Sequence, residues 1–312
     1  MSHSARKILI GTRGSKLAIA QSTEVKNLII QNHPIYKSSP DLISIIPIKT
    51  TGDKVTDRSL VDIGGKGLFI KEIEEALINK EIDIAVHSMK DMPGFFSEGV
   101  DIFAVPERKN PLDAFISKKY KSLNDLPLNA VVGTSSPRRA ALILNKRPDL
   151  KIINFRGNVD TRLNKINSDV ADATVLAVAG LSRINMEDQI TSVIVAQDML
   201  PAVGQGALAL QARNDDDFII NILKPLNHQL SEACVLAERA FLRGINGSCN
   251  TPLAAYCQVK DGKLHLETLL SSLDGKEIFK TSRVGNLEDA NAIGDDAASE
   301  TKQKGKHILD NL

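Results

Sequence analysis

The 312-residue sequence has no tryptophan, few aromatic residues and only three cysteines. Aromatic residues make up 4% of the chain, which argues against a single-strand nucleic-acid surface, because such surfaces stack bases on aromatic rings. Cys234, Cys249 and Cys257 form no C-x-x-C pair, so they indicate neither a disulfide framework nor a zinc site. The six histidines show no ligand spacing either. We therefore predict no metal site.

The sequence also lacks an excess of charge of one sign and a long apolar run. Its 39 lysines and arginines against 38 acidic residues leave a net charge of +1, which argues against a protein committed overall to nucleic acid or to an anionic membrane. No uncharged stretch is long enough to span a bilayer, and the N-terminus runs directly into a strand-like segment instead of a secretory core. We predict a cytoplasmic protein that binds neither nucleic acid nor membranes.

Apolar patterning predicts an α/β protein with two lobes, a central cleft and a small α+β C-terminal domain. Strand and helix patterns alternate up to residue 105, the segment PERKNP interrupts them, and a second βα series follows. A second crossing is predicted at Gln197 to Gly206, and Ala207 to Ala212 is apolar enough to be a strand that returns to the first lobe. Asp-Gly pairs at 261–262 and 274–275 separate three alternating runs, which is typical of β-hairpins. The predicted domains are residues 1–106 with 201–224, residues 107–200, and residues 225–312.

A polar cluster follows one of the predicted buried strands. Four of the five residues from Ile82 to Val86 are apolar, and a Pro-Gly turn ends the segment shortly afterwards. The polar residues in between are His87, Ser88, Lys90 and Asp91. Ligands of open α/β sheets bind beyond the carboxyl ends of the strands, so Asp91 beside Lys90 is a candidate charged catalytic pair. A solvated Lys90 and an Asp91 that caps its own turn fit this segment equally well.

Arginines recur where predicted strands give way to helices. In VGTSSPRRAA, Ser136 can cap a helix, Pro137 suits its first position, and Arg138 and Arg139 fall in its first turn. Two cations at that end oppose the helix dipole, so an anionic ligand is the simpler interpretation. The arginines at similar junctions are Arg13, Arg156, Arg162 and Arg183. A cleft lined in this way suits a ligand with several carboxylates or phosphates.

The chain resembles the porphobilinogen deaminase (hydroxymethylbilane synthase) family in six motifs, which occur in the family's order and cover nearly the whole chain. They are AVHSMKDMP, VGTSSPRR, FRGNVDTRL, LAVAGLSR, LPAVGQGAL and NGSCNTP. The resemblance implies two lobes like those of periplasmic binding proteins and a small C-terminal domain. It also implies a monomeric transferase of tetrapyrrole and heme biosynthesis, which joins four porphobilinogen molecules head to tail with loss of ammonia and releases hydroxymethylbilane.

The resemblance further implies roles for individual residues. Cys249 would carry a dipyrromethane cofactor through a thioether, because a thiolate is a good nucleophile and a thioether persists while the chain grows. Asp91 would be the catalytic acid/base and electrostatic residue. The residues that match the family's carboxylate-binding positions are Arg13, Ser15, Lys90, Thr134, Ser136, Arg138, Arg139, Arg156, Arg162 and Arg183. Further possible site residues are Gln21, Lys66, Ser88, Ser135 and Gln205.

The sequence departs from the family pattern near three of these motifs. Pro137 stands where Leu is usual, which suits a first helical position. Ser248 and Thr251 flank Cys249 where Gly and Val are commoner, so the attachment loop is expected to differ slightly. Asp62 replaces a usual Lys, which affects how the loop from Thr50 to Gly65 covers the site.

Two other interpretations of the sequence are alternatives to an enzyme of this family. Gly204-Gln205-Gly206 with Ala209 matches a dinucleotide fingerprint, but it follows Pro201 and leads into a strand, which is the reverse of the context that such a site needs. A two-lobed protein that sequesters a small polyanion without chemistry explains the arginines equally well. It gives no role to Cys249.

Overall fold

The computed structural model describes residues 6–51, 70–248 and 250–312. The chain divides into two compact units: unit 1 comprises Met1–Arg108 and Ala207–Glu232, and unit 2 comprises Lys109–Gly206 and Ala233–Leu312. The first boundary falls inside the PERKNP segment and the second directly after Gly206. The finer division into three domains stays a prediction.

Unit 1 contains a five-stranded mixed sheet. Its strands are β1 (Ile8–Arg13), β2 (Ile43–Ile48), β3 (Ile84–Ser88), β4 (Val100–Ala104) and β10 (Leu208–Arg213), in the order β2-β1-β3-β10-β4. Strand β1 pairs in parallel with β2 and β3, whereas β10 is antiparallel to β3 and β4. The described helices are α1 (Lys16–Asn32), α2 (Pro34–Ser38), α3 (Lys71–Ile78) and α7 (Asp217–Leu223). The predicted return strand is therefore confirmed as β10.

Strand β3 is buried on both faces of the sheet. Its consecutive side chains point to opposite sides, and each side packs against a different helix. Ile84 and Val86 belong to a core cluster with residues of α1, and Ala85 belongs to another with residues of α3. Helix α1 begins where Ser15 caps it, since the Ser15 side chain accepts a hydrogen bond from the Ala18 amide at 3.2 Å. The apolar spacing also predicts a helix over Gly67 to Lys80; the start of this range lies outside the described residues, and its described part contains α3.

Unit 2 contains a second five-stranded mixed sheet. Its strands are β5 (Asp113–Ile116), β6 (Val131–Gly133), β7 (Lys151–Ile153), β8 (Ala173–Ala177) and β9 (Ser192–Ile194), in the order β7-β6-β8-β5-β9. Strand β6 is parallel to β7 and β8, and β5 is antiparallel to β8 and β9. Helices α4 (Pro137–Lys146), α5 (Val159–Asn167) and α6 (Val178–Arg183) accompany them. The sequence pattern did not predict β5 and β9 as strands.

The C-terminal part of unit 2 is an antiparallel sheet with helices, as predicted. Strands β11 (Leu253–Lys260), β12 (Lys263–Ser271) and β13 (Ile278–Gly285) follow α8 (Gln229–Gly244), and α9 (Ala290–Lys304) and α10 (Lys306–Leu309) come last. Asp261 and Gly262 have φ values of 51° and 73°, which a two-residue hairpin turn requires. Phe241 of α8, Leu266 of β12 and Ala297 of α9 share one core cluster. The fold class predicted from the sequence is confirmed.

An ion cluster with equal numbers of positive and negative groups lies at the edge of the unit 1 sheet where β1 and β3 begin. Arg6 contacts Asp216 at 2.9 Å and Asp83 at 2.6 Å, and Arg213 contacts the same two carboxylates at 2.7 and 3.3 Å. Two guanidinium groups therefore face two carboxylates. Burial raises the pKa of Asp216, but hydrogen bonds from Arg6 and Arg213 outweigh it and lower this pKa to about 2.

We expect Asp216→Asn to lower the free energy of unfolding by about 2 kcal/mol near pH 7, because the charged hydrogen bonds to both arginines are lost. A carboxyl group with a lowered pKa stabilises the folded state above its unfolded pKa of about 4, and the effect is lost as the pH falls towards 2. The difference in the free energy of unfolding between wild type and variant, measured by urea unfolding, should therefore be constant above about pH 4 and become smaller below it. Exposed Asp215→Asn is the control; a deficit independent of pH would contradict the prediction.

Candidate functional site

In unit 1, the predicted site residues gather at the edge of the sheet where β1 and β3 end. Arg13 is the last residue of β1, Ser88 is the last residue of β3, and a single 3-10 turn carries Lys90 and Asp91 directly after it. Gln21, which is buried in α1, donates a hydrogen bond from Nε2 to Ser88 Oγ at 2.7 Å. Parallel strands end at the same edge, so the carboxylate of Asp91 and the guanidinium of Arg13 share this region with the cap of α1.

Asp91 is exposed and Lys90 is partly buried. An exposed carboxylate at a strand end is accessible to a ligand, whereas the side chains around it are anchored in the sheet and in α1. This placement suits a group that acts on a bound molecule.

A chain of buried polar side chains lies under this turn, and the sequence did not single it out. His87 Nε2 is 3.2 Å from Gln211 Oε1, and Gln211 Nε2 donates to Glu74 Oε1 at 2.6 Å. Glu74 Oε2 in turn accepts hydrogen bonds from the amide and the hydroxyl of Ser97. His87 belongs to the polar cluster predicted from the sequence, and the period-2 pattern of β3 could have indicated its burial, because it falls on the same buried face as Ala85.

This chain determines the tautomer of His87. A Glu74 carboxylate only accepts hydrogen bonds, so Gln211 turns its NH2 group towards Glu74 and its oxygen towards His87. His87 must then carry its proton on Nε2. Burial is the largest effect on the pKa of His87 and lowers it; the Gln211 hydrogen bond and Asp91 raise it by less, Arg13 lowers it slightly, and the resulting pKa is about 4. His87 is therefore neutral near pH 7.

In unit 2, three hydroxyl residues connect the end of β6 to neighbouring elements. Thr134 Oγ1 accepts from the Ser136 amide at 3.2 Å, and Ser136 Oγ accepts from the Arg139 amide at 3.4 Å as the N-cap of α4. Ser135 Oγ accepts from the Phe155 amide at 2.8 Å and contacts the Asn154 side chain. The predicted cap and the predicted helix start are confirmed.

Arg138 and Arg139 are both buried, and both contact Asp113. Arg138 Nη2 lies 2.8 Å from Asp113 Oδ2, and Arg139 Nη2 lies 2.6 Å from Asp113 Oδ1. The anion next to these arginines is therefore an internal carboxylate, whereas the sequence pattern indicated a ligand. Burial raises the pKa of Asp113, but the two arginines outweigh it and bring this pKa to about 2.

The other predicted residues of unit 2 lie at or after the ends of its strands. Arg156 follows β7, Arg162 Nε donates to the Gly157 carbonyl at 2.9 Å, and Arg183 Nη1 donates to the Gly206 carbonyl at 3.2 Å. Gln205 is buried, and its Nε2 donates to Asp113 Oδ1 at 3.0 Å. Unit 2 thus places several guanidinium groups and one carboxylate near the carboxyl ends of β6, β7 and β8.

Cys249, Lys66 and Asp62 lie outside the described residues. Next to Cys249, the Ser248 amide donates to Thr251 Oγ1 at 3.0 Å and the Asn250 amide donates to Ser248 Oγ at 3.2 Å. The two described cysteines, Cys234 and Cys257, are both buried in the core around α8 and the C-terminal sheet.

Within residues 6–51, 70–248 and 250–312, no group of three or more His, Cys, Asp or Glu side chains could hold a metal ion. None of the helices in these ranges has both the length and the apolar character needed to cross a membrane.

Comparison with known proteins identifies the family. A family model described as "Porphobilinogen deaminase, dipyromethane cofactor binding domain" matches residues 8–221. The chain belongs to the porphobilinogen deaminase family. A second model, "Porphobilinogen deaminase, C-terminal domain", matches residues 232–303. The family assignment confirms the resemblance seen in the six motifs.

Curated porphobilinogen deaminases are similar along most of this chain. The protein from Nitrobacter hamburgensis is 46% identical over 295 residues, which is 95% of this chain and 92% of the relative. The chloroplastic protein from Pisum sativum is 48% identical over 297 residues, with 94% and 80% covered. A solved structure of a probable amino-acid ABC transporter extracellular-binding protein from Bacillus subtilis covers 77% of this chain and 97% of its own, with a TM-score of 0.40 and 12% identity.

Membership of the porphobilinogen deaminase family confirms three of the predictions made from the sequence. The chain is an enzyme, it is a transferase with hydroxymethylbilane synthase activity, and its cofactor is dipyrromethane. The alternative of a polyanion-binding protein without chemistry is therefore rejected. The roles of individual residues stay predictions.

We expect the imidazole of His87 to remain neutral from pH 8 down to about pH 5, because its pKa is about 4. The unfolded chain binds a proton that the folded chain does not, so this group makes folding less stable as the pH falls from about 6.5 to about 4. Histidine NMR signals, with the His87 signal assigned by its loss in His87→Gln, test this expectation. A His87 titration midpoint above pH 6 would contradict it.

Proposed function

We propose that Asp91 of unit 1 is the catalytic residue of the hydroxymethylbilane synthase reaction. We also propose that the arginines at the strand ends of unit 2 bind substrate carboxylates. The observation that carries this proposal is the gathering of Arg13, Gln21, Ser88 and Asp91 at one edge of the unit 1 sheet, in a chain matched by the porphobilinogen deaminase model.

Asp91 acts electrostatically. Loss of ammonia from porphobilinogen and attack by the next pyrrole both place positive charge on a substrate ring, and a carboxylate at the pyrrole N–H stabilises that charge as it develops. The carboxylate must stay ionised for this role. Neutral His87 does not compete with the ring for the negative charge of Asp91.

The arginines hold the carboxylates of the pyrrole chain. Each ring brings an acetate and a propionate, so the negative charge grows with every addition and needs cationic partners that stay charged. When bound, dipyrromethane supplies the pyrrole to which the first porphobilinogen is joined. Two buried guanidinium groups that share one carboxylate, Arg138 and Arg139 with Asp113, suit a group that carries several carboxylates.

Cys249 is the proposed attachment residue for dipyrromethane. The two described cysteines are packed in the core, and free cysteines in such surroundings are inert. Porphobilinogen is the proposed substrate. We also propose that the enzyme acts as a monomer in the cytoplasm, as the resemblance to the family implies.

We expect the wild-type protein incubated with porphobilinogen to gain the mass of two pyrrole units and to give a positive colour test with Ehrlich's reagent. The Cys249→Ser variant should keep its unmodified mass, because an alcohol is a much weaker nucleophile than a thiolate. Intact-mass spectrometry measures both. Cys234→Ser is the matched control and should still be modified; equal modification of Cys249→Ser would refute the assignment.

We expect Asp91→Asn to keep the fold and to lower kcat about 100- to 1,000-fold, because the charge that stabilises the developing cation is lost while the shape is retained. Steady-state kinetics with porphobilinogen measure kcat, and circular dichroism checks the fold. Exposed Glu98→Gln, seven residues further along, should leave kcat unchanged. A variant kcat within threefold of wild type would show that Asp91 is not the catalytic carboxylate.

A further inference from the structure

Asp113 is a fully buried residue that the sequence did not place in the site. It is the first residue of β5 and pairs with Ala177, the last residue of β8. Because β5 is antiparallel to β8, the start of β5 lies at the edge where the parallel strands β6 and β8 end. Strand direction thus brings a carboxylate to the same edge as the N-terminus of α4.

The Asp113 carboxylate uses both oxygens to hold two arginines together. Oδ2 accepts a hydrogen bond from Arg138 Nη2 at 2.8 Å, and Oδ1 accepts from Arg139 Nη2 at 2.6 Å and Nε at 3.1 Å. Consecutive residues of an α-helix point about 100° apart, so their side chains diverge unless something outside the helix draws them together. Asp113 does this for both guanidinium groups.

The charges in this cluster do not balance. Among the described residues, Asp113 is the one acidic group that contacts either arginine, so two positive charges face one negative charge. The ion cluster of Arg6 and Arg213 in unit 1 has two of each. An uncompensated buried charge is costly. A buried cluster that served stability alone would be expected to balance.

One hydrogen-bond donor in the cluster also lacks an acceptor. Arg138 is 3% exposed, and its Nε is buried without a hydrogen-bond partner among the described residues. Its other contacts are with Asp113 and with the Leu200 carbonyl, to which Nη1 donates at 2.7 Å. A single carboxylate oxygen from a ligand would satisfy this donor and balance the excess charge.

We propose that Asp113 is a positioning residue, which holds Arg138 and Arg139 in the orientation that presents one net positive charge to a carboxylate of the pyrrole chain. This rests on the proposed function, in which both arginines bind substrate carboxylates. Asp113 acts through the arginines, since both of its oxygens are already occupied by protein donors.

The Asp113 carboxylate also holds the segment around Gln205, near the end of the Lys109–Gly206 part of unit 2. Gln205 Nε2 donates to Asp113 Oδ1 at 3.0 Å, and Gln205 Oε1 accepts from Arg139 Nη2 at 3.4 Å. On either side, the Gly204 amide donates to Glu238 at 2.6 Å and the Gly206 carbonyl accepts from Arg183 at 3.2 Å. Asp113 therefore holds Arg138, Arg139 and Gln205 in one arrangement.

Two substitutions at Asp113 separate position from charge. Asp113→Asn keeps the shape and raises the net positive charge of the cluster from one to two. We expect kcat/KM for porphobilinogen to fall about 10- to 100-fold, because the arginines are no longer held in position. Inorganic phosphate should inhibit about tenfold more tightly, because the extra positive charge attracts it. Asp113→Glu keeps the charge and moves the carboxylate by one methylene group. It should lower kcat/KM over a similar range and leave phosphate inhibition within about twofold of wild type.

The measurements use protein whose cofactor content has been checked by intact mass, at constant ionic strength. Asp83→Asn, in the balanced cluster of unit 1, is the matched control: it should lower the melting temperature and leave both kcat/KM and phosphate inhibition unchanged. If both Asp113 variants keep kcat/KM within twofold of wild type, Asp113 is structural only and the proposal is wrong. If Asp113→Asn does not fold, Asp113→Glu decides by the same criterion.

Failure of the proposed function would look different from failure of this inference. If the wild-type protein gains no pyrrole mass and does not consume porphobilinogen, the proposed function is wrong. If the wild type is active and the Asp113 variants are unaffected, only the positioning role of Asp113 is wrong.

Discussion

Strand direction governs where the charged side chains of both units lie. In unit 1, β1 and β3 run in parallel and deliver Arg13, Ser88 and Asp91 to one edge of the sheet. In unit 2, β6 and β8 run in parallel and deliver the hydroxyl residues and α4 to one edge, while antiparallel β5 returns Asp113 to the same place. Reversing any of these strands would move its polar residues to the opposite edge of the sheet.

The charged clusters of this protein are compensated to different degrees. Arg6 and Arg213 are matched by two carboxylates, and Glu74 receives hydrogen bonds from Gln211 and Ser97. Arg138 and Arg139 share one carboxylate. Complete pairing is what stability alone favours, so incomplete pairing at the end of parallel strands marks the place where an anion is bound in the proposed mechanism.

Much of the architecture could be predicted because it depends on local pattern. The helix capped by Ser15, the helix capped by Ser136 and the Asp-Gly hairpins follow from residues within a few positions of each other. The return of β10 to the first unit also followed from an apolar run after a Gly-rich segment. The boundaries of this strand differ by one residue at each end, Ala207 to Ala212 predicted against Leu208–Arg213 observed, because the period fades where strands enter loops.

The rest could not be predicted because it depends on pairing between distant segments. Asp113 lies in a four-residue strand, and its contacts with Arg138, Arg139 and Gln205 span up to 92 positions. The tautomer of His87 depends on Gln211, which is 124 positions away. Sequence pattern located the arginines and Asp91 as candidates, but their internal partners became visible only in the fold. Cys249 rests on the family motif alone.

The order of strands in unit 1 has a consequence for synthesis on the ribosome. Strand β10 lies between β3 and β4, yet it is made only after the whole of Lys109–Gly206. Until then β4 has no neighbour in the sheet, and β3 exposes unpaired backbone groups along one side. The sheet of unit 1 therefore stays incomplete on the ribosome until Lys109–Gly206 has been made. A chaperone would be most useful at this stage, because unpaired strand edges favour aggregation.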